Sequence, residues 1–345
     1  MREGYPRRMI LVVGGAGYIG SHMCKLLREA GEAHLVFDNL SQGHRAAVQE
    51  STLVEGDLRS RADLDKVFQE NRIDLVMHFA AFISVGESVR EPAKYWDNNT
   101  MGVYTLLEAM RAHSIKQFVF SSTAAIFGEP QYVPIDEAHP TNPRNPYGDS
   151  KLAVERMLKD YDIAYDFRSV NLRYFNAAGA DPDGKIGEDH HPEEHLIPLA
   201  ISAALGNAPK LKIFGTDYET KDGTCVRDYV HILDLAAAHL SAVKHLRDNG
   251  ESRQYNLGNG QGFTVREVID AVQRVSGHPV PHEEAPRRPG DPAKLIASSD
   301  RIRRDWEWSP RFPSLDSIVE TAWNWHSHHP RGYDDQALGA ATARA

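Results

Sequence analysis

The hydrophobic pattern becomes regular at Met9-Ile10-Leu11-Val12-Val13, an apolar run of the length expected of a strand buried on both faces. After a glycine-rich turn, Ile19, Met23, Leu26 and Leu27 recur at helical spacing. Leu35-Val36-Phe37 is a second short apolar run and ends on Asp38. The alternation continues with a short strand near 52–55, a helix over 61–70 and a buried strand over 75–81 that runs into small residues. A long helix over 92–113, a strand over 117–122, a helix opening at Tyr147 and a strand over 169–174 follow. Strands alternating with helices predict an α/β fold, a doubly wound, mostly parallel sheet of the Rossmann type.

Beyond Asn176 this alternation breaks down. Residues 177–194, rich in Gly, Asp, Pro and His, read as a loop. A helix from His195 to Leu205 comes next, then a strand over 211–215 and an extended stretch over 224–231. A helix over 233–246, a strand over 254–257 and helices over 265–275 and 318–325 complete the pattern. The pattern predicts a first domain over 9–176, to which later segments return. A smaller C-terminal α/β domain covers 177–333, with disordered tails at 1–8 and 336–345.

Composition narrows the function classes. A net charge of −9 over 345 residues leaves no broad basic surface for nucleic acid or an anionic membrane. No apolar run has the length to span a bilayer. The first eight residues lack the apolar core of a signal peptide. Cys24 and Cys225 make no disulfide framework, and together these features point to the cytoplasm.

The chemistry begins at the first turn. Gly14, Gly17 and Gly20 sit between strand and helix, where small residues admit a pyrophosphate and free N–H groups favour its charge. Asp38, eighteen positions after Gly20, stands where a carboxylate meets adenosine ribose hydroxyls. This order of strand, turn, helix, strand and acid predicts a dinucleotide site. Asp57 either caps the helix that follows it or accepts from the adenine amino group. His78, inside an apolar run, reads as a satisfied core histidine. Tyr147 and Lys151 are spaced i, i+4 and face one side of a helix. The lysine ammonium is expected to lower the phenol toward neutrality, so that Tyr147 takes a proton from a substrate hydroxyl. Thr123 offers a hydroxyl that relays or orients that proton.

The glycine turn, Tyr147-x-x-x-Lys151, Arg173-Tyr174-Phe175-Asn176, Val226-Arg227-Asp228-Tyr229 and Pro286-Arg287-Arg288-Pro289-Gly290-Asp291 occur in order. Together they resemble the extended short-chain dehydrogenase/reductases and, within them, the family of UDP-glucose (UDP-galactose) 4-epimerases. The resemblance runs from about Met9 to about Tyr333. It implies reversible epimerisation at C4 of a UDP-hexose through a 4-keto sugar, with tightly bound NAD regenerated in each turnover. It assigns Thr123, Tyr147 and Lys151 to catalysis. To NAD it assigns Gly14, Gly17, Tyr18, Ile19, Gly20, Asp38, Asn39, Asp57, Leu58, Phe79, Ala80, Ala81, Asn98, Ser121, Tyr147, Lys151 and Phe175. To the UDP-sugar it assigns Thr123, Tyr147, Asn176, His195, Leu196, Phe214, Arg227, Arg288 and Asp291. A homodimer is implied as well.

Four positions depart from the best-known pattern: Ile83 replaces a lysine, Thr123 a serine with the hydroxyl preserved, His195 an asparagine, and Leu295 a tyrosine or small residue that gates the C2 substituent. UDP-pentoses and UDP-N-acetylhexosamines therefore stay open as substrates. A nucleotide-sugar 4,6-dehydratase is disfavoured because Ala124-Ala125, not Asp-Glu, follows Thr123. A non-catalytic NAD sensor is disfavoured by the intact Tyr–Lys pair. No metal is expected. His190-His191 with Asp189, Glu193 and Glu194 lacks a His-Glu-x-x-His spacing and reads as a solvated loop, and His328-His329 is discounted likewise.

Overall fold

The computed structural model describes residues 8–288 and 290–333. The expected tails, apart from Arg8, and Pro289 of the arginine-rich motif lie outside the described residues. The chain divides into two compact units. One comprises the residues up to Ile126 with Asn145–Leu172 and Ala236–Gln254; the other comprises Phe127–Arg144, Arg173–Leu235 and the residues from Tyr255 onward.

The first unit is built on six strands: β1 (Met9–Val13), β2 (His34–Asp38), β3 (Leu53–Glu55), β4 (Ile73–His78), β5 (Gln117–Thr123) and β6 (Arg168–Tyr174). With the later strand Arg253–Leu257 they form one seven-stranded sheet, in the order Arg253–Leu257, β6, β5, β4, β1, β2, β3. The ladders from β3 to β5 are parallel, with Val12 opposite Val36 on one side and Met77 on the other. Central strands flanked on both edges and covered on both faces require continuous apolar sequence, which Ile10–Val13 supplies at no more than 1% exposure. Leu64, Val67, Leu106, Leu107, Met110, Val154 and Leu158 cover one face of the sheet. Cys24 is buried in this unit and Cys225 in the other, and both are free.

Two expectations change here. The strand over 75–81 stops at His78, so Phe79, Ala80 and Ala81 form the turn beyond its carboxyl end. The helix over 92–113 is interrupted: Trp96–Met101 is π-helical between Pro92–Tyr95 and Gly102–Ala112. The extra residue in that turn carries the buried pair Asn98 and Asn99. Asn99 accepts from Phe82 N (2.9 Å) and donates to Phe82 O (2.9 Å) and Ser150 Oγ (3.3 Å). Such bulges persist where a side chain offsets the lost helical register.

The second unit has its own core, in which Ile197, Ile201, Ile213, Val268, Val272, Ile318 and Val319 are almost fully buried. Its strands are short. Asn176–Ala178 pairs in parallel with Tyr229–His231, and Leu211–Phe214 pairs in parallel with His282–Ala285. Val226–Arg227 lies between Phe263–Thr264 and Lys294–Leu295. The expected stretch over 224–231 is therefore two strands broken at Asp228. The segment Phe127–Arg144, inside the expected first domain, belongs to this second unit. Among the described residues no helix is long and apolar enough to cross a membrane.

Candidate active site

In the first unit β1 runs into Gly14, whose φ of +77° only glycine adopts freely; a Cβ there would stand 2.3 Å from Ala80 N. A Cβ at Gly20 would meet Gly14 O at 2.2 Å, so the helix packs directly on the turn. Gly17 differs: a Cβ there would touch only Gly14 O, at 3.6 Å. It is the N-cap of the twelve-residue helix Tyr18–Glu29 and supplies no side-chain cap. The first N–H groups of that helix thus face an open glycine surface, a cradle for a diphosphate.

Beside it, Val13, Gly14, Phe37, Asp38, Asn39, Gly56, Leu58 and Ala80 line a small pocket. Asp38 closes β2 and accepts from Ala16 N (2.9 Å) and Leu40 N (2.8 Å); burial pushes its carboxyl up, against those two bonds. Asp57 is held at about 2, chiefly by its hydrogen bonds from Arg59, and Asn39 also donates to it at 3.1 Å. Asp57 does not cap the helix that follows it: the N-cap of Arg61–Glu70 is Ser60, and Asp57 accepts from Arg59 instead. Cradle, carboxylate and apolar pocket fit a dinucleotide.

Asn145 caps the helix Pro146–Tyr165 by accepting from Gly148 N (2.9 Å), which sets Tyr147 and Lys151 one turn apart. Lys151 is 2% exposed, donates to Ser121 O (2.9 Å) and lies 5.0 Å from the centre of the Phe120 ring. Burial lowers its ammonium to about 7. Burial also raises the Tyr147 phenol above its ordinary value, partly offset by a hydrogen bond with Thr123. The lowering expected from Lys151 is not seen in the chain by itself, where burial dominates. A desolvated lysine at about 7 is itself only partly charged, so its pull on the phenol is correspondingly reduced. Asn99 and Ser150 hold this helix from behind, and Ser150 Oγ also donates to Tyr147 O (2.7 Å). The sequence reading missed Asn99. Its signal was the adjacent Asn98, singled out instead.

His78 is buried between Phe118 and Phe120, but neither ring nitrogen has a hydrogen-bond partner. The expected core placement is present, but the expected hydrogen-bond satisfaction is not. Burial drives its imidazole down to about 3, and neutrality resolves the conflict. Ser121 and Thr123 end β5, Phe79 packs against His239 at 4.9 Å, and Ile83 is exposed.

In the second unit the polar site is organised around Asp228. Its carboxylate accepts from Asn259 N (2.7 Å), Gly260 N (3.0 Å) and Ala297 N (3.0 Å). Asn176 donates its amide to Asp228 O at 2.7 Å. A Cβ at Gly258 would stand 2.4 Å from the Asp228 carboxylate, so only glycine admits this approach. Arg227, next in chain, is then fixed by Val226 O, by Pro292 O (2.9 Å) and by an ion pair with Asp291. The ion pair with Asp291 aligns the arginine. The Arg288 guanidinium lies 4.0 Å over the Phe214 ring, a cation–π contact that makes one flat platform. Leu295 stands opposite Arg227 in register. Phe175 N donates to Leu257 O (3.2 Å).

His195 is the N-cap of the helix Leu196–Ala204, but its side chain turns to carboxylates instead of capping. Its Nδ1 lies 2.8 Å from Glu188 and 2.8 Å from Glu193. Burial disfavours the charged ring, yet the two carboxylates outweigh it and hold His195 well above its ordinary value. The expectation of a solvated loop is therefore corrected: Glu188 is 4% exposed, and it joins His190, Glu193 and His195 in one cluster. His191 and Glu194, which the sequence grouped with them, are exposed and lie outside it.

Residues 10–258 match the model of the NAD dependent epimerase/dehydratase family. The chain is 54% identical over 327 residues to the UDP-glucose 4-epimerase of Halalkalibacterium halodurans, covering 95% of this chain and 98% of that protein. A crystal structure of UDP-glucose 4-epimerase superposes with a TM-score of 0.93 at 50% identity, over 95% of this chain and all of the other. The Bifidobacterium longum UDP-glucose 4-epimerase, solved with NAD+ and UDP, superposes with a TM-score of 0.90 at 38% identity over 94% of this chain and all of the other. The uncapped glycine turn, the Tyr–Lys helix and these likenesses converge: the chain belongs to the NAD dependent epimerase/dehydratase family and, within it, to the UDP-glucose 4-epimerases.

Proposed function

We propose that this chain interconverts UDP-galactose and UDP-glucose at C4, with Tyr147 as the group that removes and returns the O4 proton. NAD is its cofactor, and when bound it supplies a reversible two-electron oxidation at C4. The observation that carries the assignment is the half-buried Tyr147, hydrogen-bonded with Thr123 and one helical turn from Lys151. Thr123 orients the phenol hydrogen bond. Lys151, held by Ser121 O, presents a proton source of about neutral affinity beside the cofactor ribose.

The remaining roles follow the residues' chemistry. The N–H groups of Tyr18, Ile19 and Gly20 take the cofactor diphosphate, Asp38 its adenosine ribose, and Asn39, Asp57 and Leu58 its adenine. Phe79, Ala80, Ala81, Asn98, Ser121 and Phe175 complete the cofactor contacts. On the nucleotide-sugar side, Arg227 and Arg288 meet the diphosphate with two forks of donors. Phe214 stacks on uracil, and Asn176, His195 and Leu196 supply the nearby polar and backbone contacts. Asp291 keeps Arg227 aligned. Because the sugar must present both faces of C4, these anchors bind the nucleotide and leave the hexose free to turn. A homodimer in the cytoplasm follows from the same resemblance, and sedimentation of the purified chain tests the dimer.

The deciding experiment incubates the purified protein with UDP-galactose, without added nucleotide, and follows UDP-glucose by chromatography. Conversion without net NADH is the expected result. Failure with NAD supplied, together with turnover of UDP-arabinose or UDP-N-acetylgalactosamine, would move the substrate to the class that Leu295 admits. Failure with all of them would leave a non-catalytic NAD-binding protein.

A further inference from the structure

Outside the residues assigned to catalysis, the second unit gathers Glu188, His190, Glu193 and His195, with four candidate donor atoms within 4.8 Å of one another. His195 Nδ1 stands 2.8 Å from each carboxylate, while His190 Nδ1 stands 3.2 Å from Glu188 and 3.8 Å from Glu193. Ligands bound about 2.0–2.2 Å from a tetrahedral zinc stand roughly 3.3–3.6 Å apart. The observed separations bracket that spacing, so small side-chain shifts place all four around one ion.

The loop is held for this purpose at both ends. Trp325 Nε1 donates to Glu188 O (3.0 Å), and Asp189 accepts from Tyr333 N (2.8 Å). At the far end His195 N donates to Glu193 (2.8 Å) where the next helix starts. Charge points the same way. A divalent cation takes the place of the protons that the carboxylates otherwise hold on the imidazoles: two carboxylates with two neutral imidazoles carry −2, which the cation balances. Glu188 is nearly buried (side chain 5% exposed) and has imidazoles as partners instead of a lysine or arginine. The His195 side chain is 40% exposed and leaves an entry path.

We propose that this cluster is a closed structural site for a divalent transition ion of the zinc class, bound by Glu188, His190, Glu193 and His195. Imidazole nitrogen with carboxylate oxygen suits zinc, and four protein ligands leave no open position for catalysis. Ligation through Nδ1 keeps the proton of His195 on Nε2, so the ring remains a donor. That consequence rests on the assignment of His195 to the substrate; the cation site does not.

The test uses the full chain, dialysed against EDTA and titrated with CoCl2 while visible absorption is recorded, then challenged with ZnCl2. One cobalt per chain with the intense bands of tetrahedral coordination, displaced by zinc, is the expected result. His190→Gln and Glu193→Gln should each weaken cobalt binding by about tenfold or more. Absence of a saturable cobalt signal in the unaltered chain overturns the proposal, whatever the variants do, and leaves the cluster as two ion pairs. Cobalt binding unchanged in both variants overturns it equally. Epimerase turnover, assayed separately, reports on the catalytic assignment and not on this site.

Discussion

Two regions of this molecule bury ionisable groups, and they manage the cost in opposite ways. Around Tyr147 and Lys151, burial drives the groups toward neutrality: the phenol rises and the lysine falls to about 7. Around Glu188 and His195, burial acts against charge as well, but imidazoles and carboxylates face one another and the charges survive. The first arrangement leaves Lys151 near neutral pH, where its protonation changes at little cost, and keeps the phenol protonated. The second holds a loop in place. Asp228 is a third solution, a buried carboxylate satisfied by backbone N–H groups.

Substitutions can break that contrast. The largest effect is expected from Tyr147→Phe, which removes the proton carrier while leaving the glycine turn intact. Turnover of UDP-galactose should fall by about 10²–10⁴-fold or more, with NAD still bound in the purified protein. Retained activity would remove Tyr147 from the mechanism. Asp228→Ala comes next. It leaves several buried N–H groups without acceptors, at about 1–3 kcal/mol each, so thermal unfolding should shift down by many degrees. Asp228→Asn, which still accepts, should recover part of the loss.

Lys151→Met sharpens the comparison through pH. The folded lysine, at about 7, lies below its ordinary 10.5, so the native state binds fewer protons than the unfolded state between those values. Stability of the parent chain therefore rises with pH across that window, and below it the burial cost is on the order of 5 kcal/mol. Lys151→Met should melt higher than the parent near pH 6, with the gap closing toward pH 10, while turnover is lost. A gap independent of pH would mean that the lysine is charged throughout. The smallest effect is expected from Arg288→Ala. It removes one fork of donors from a surface platform and should weaken UDP binding by about tenfold in calorimetry, with little change in melting.

Much of this was legible in the chain because it depends on neighbours in sequence. The Met9–Val13 run, the glycine spacing, Asp38 at a strand end and the i, i+4 Tyr147–Lys151 pair are local patterns, and each stands in the element expected. The readings that changed depend on distant partners. Asn98-Asn99 sits in a helical period, and only the contacts of Asn99 with Phe82 and Ser150 reveal the π-turn. His78 looks like any core histidine until its surroundings prove to be phenylalanine rings.

What the sequence determined by itself was the alternation of strand and helix, the glycine turn and the i, i+4 Tyr147–Lys151 pair, because periodicity and backbone conformation are set over a few residues. Tertiary structure alone decided the protonation balance of Tyr147 and Lys151, since burial is a property of what surrounds a group. It also decided the role of Asp228, whose three donors lie at Asn259, Gly260 and Ala297. The same holds for the Glu188–His195 cluster, where a loop must fold back before four side chains spaced over eight residues can meet at one point.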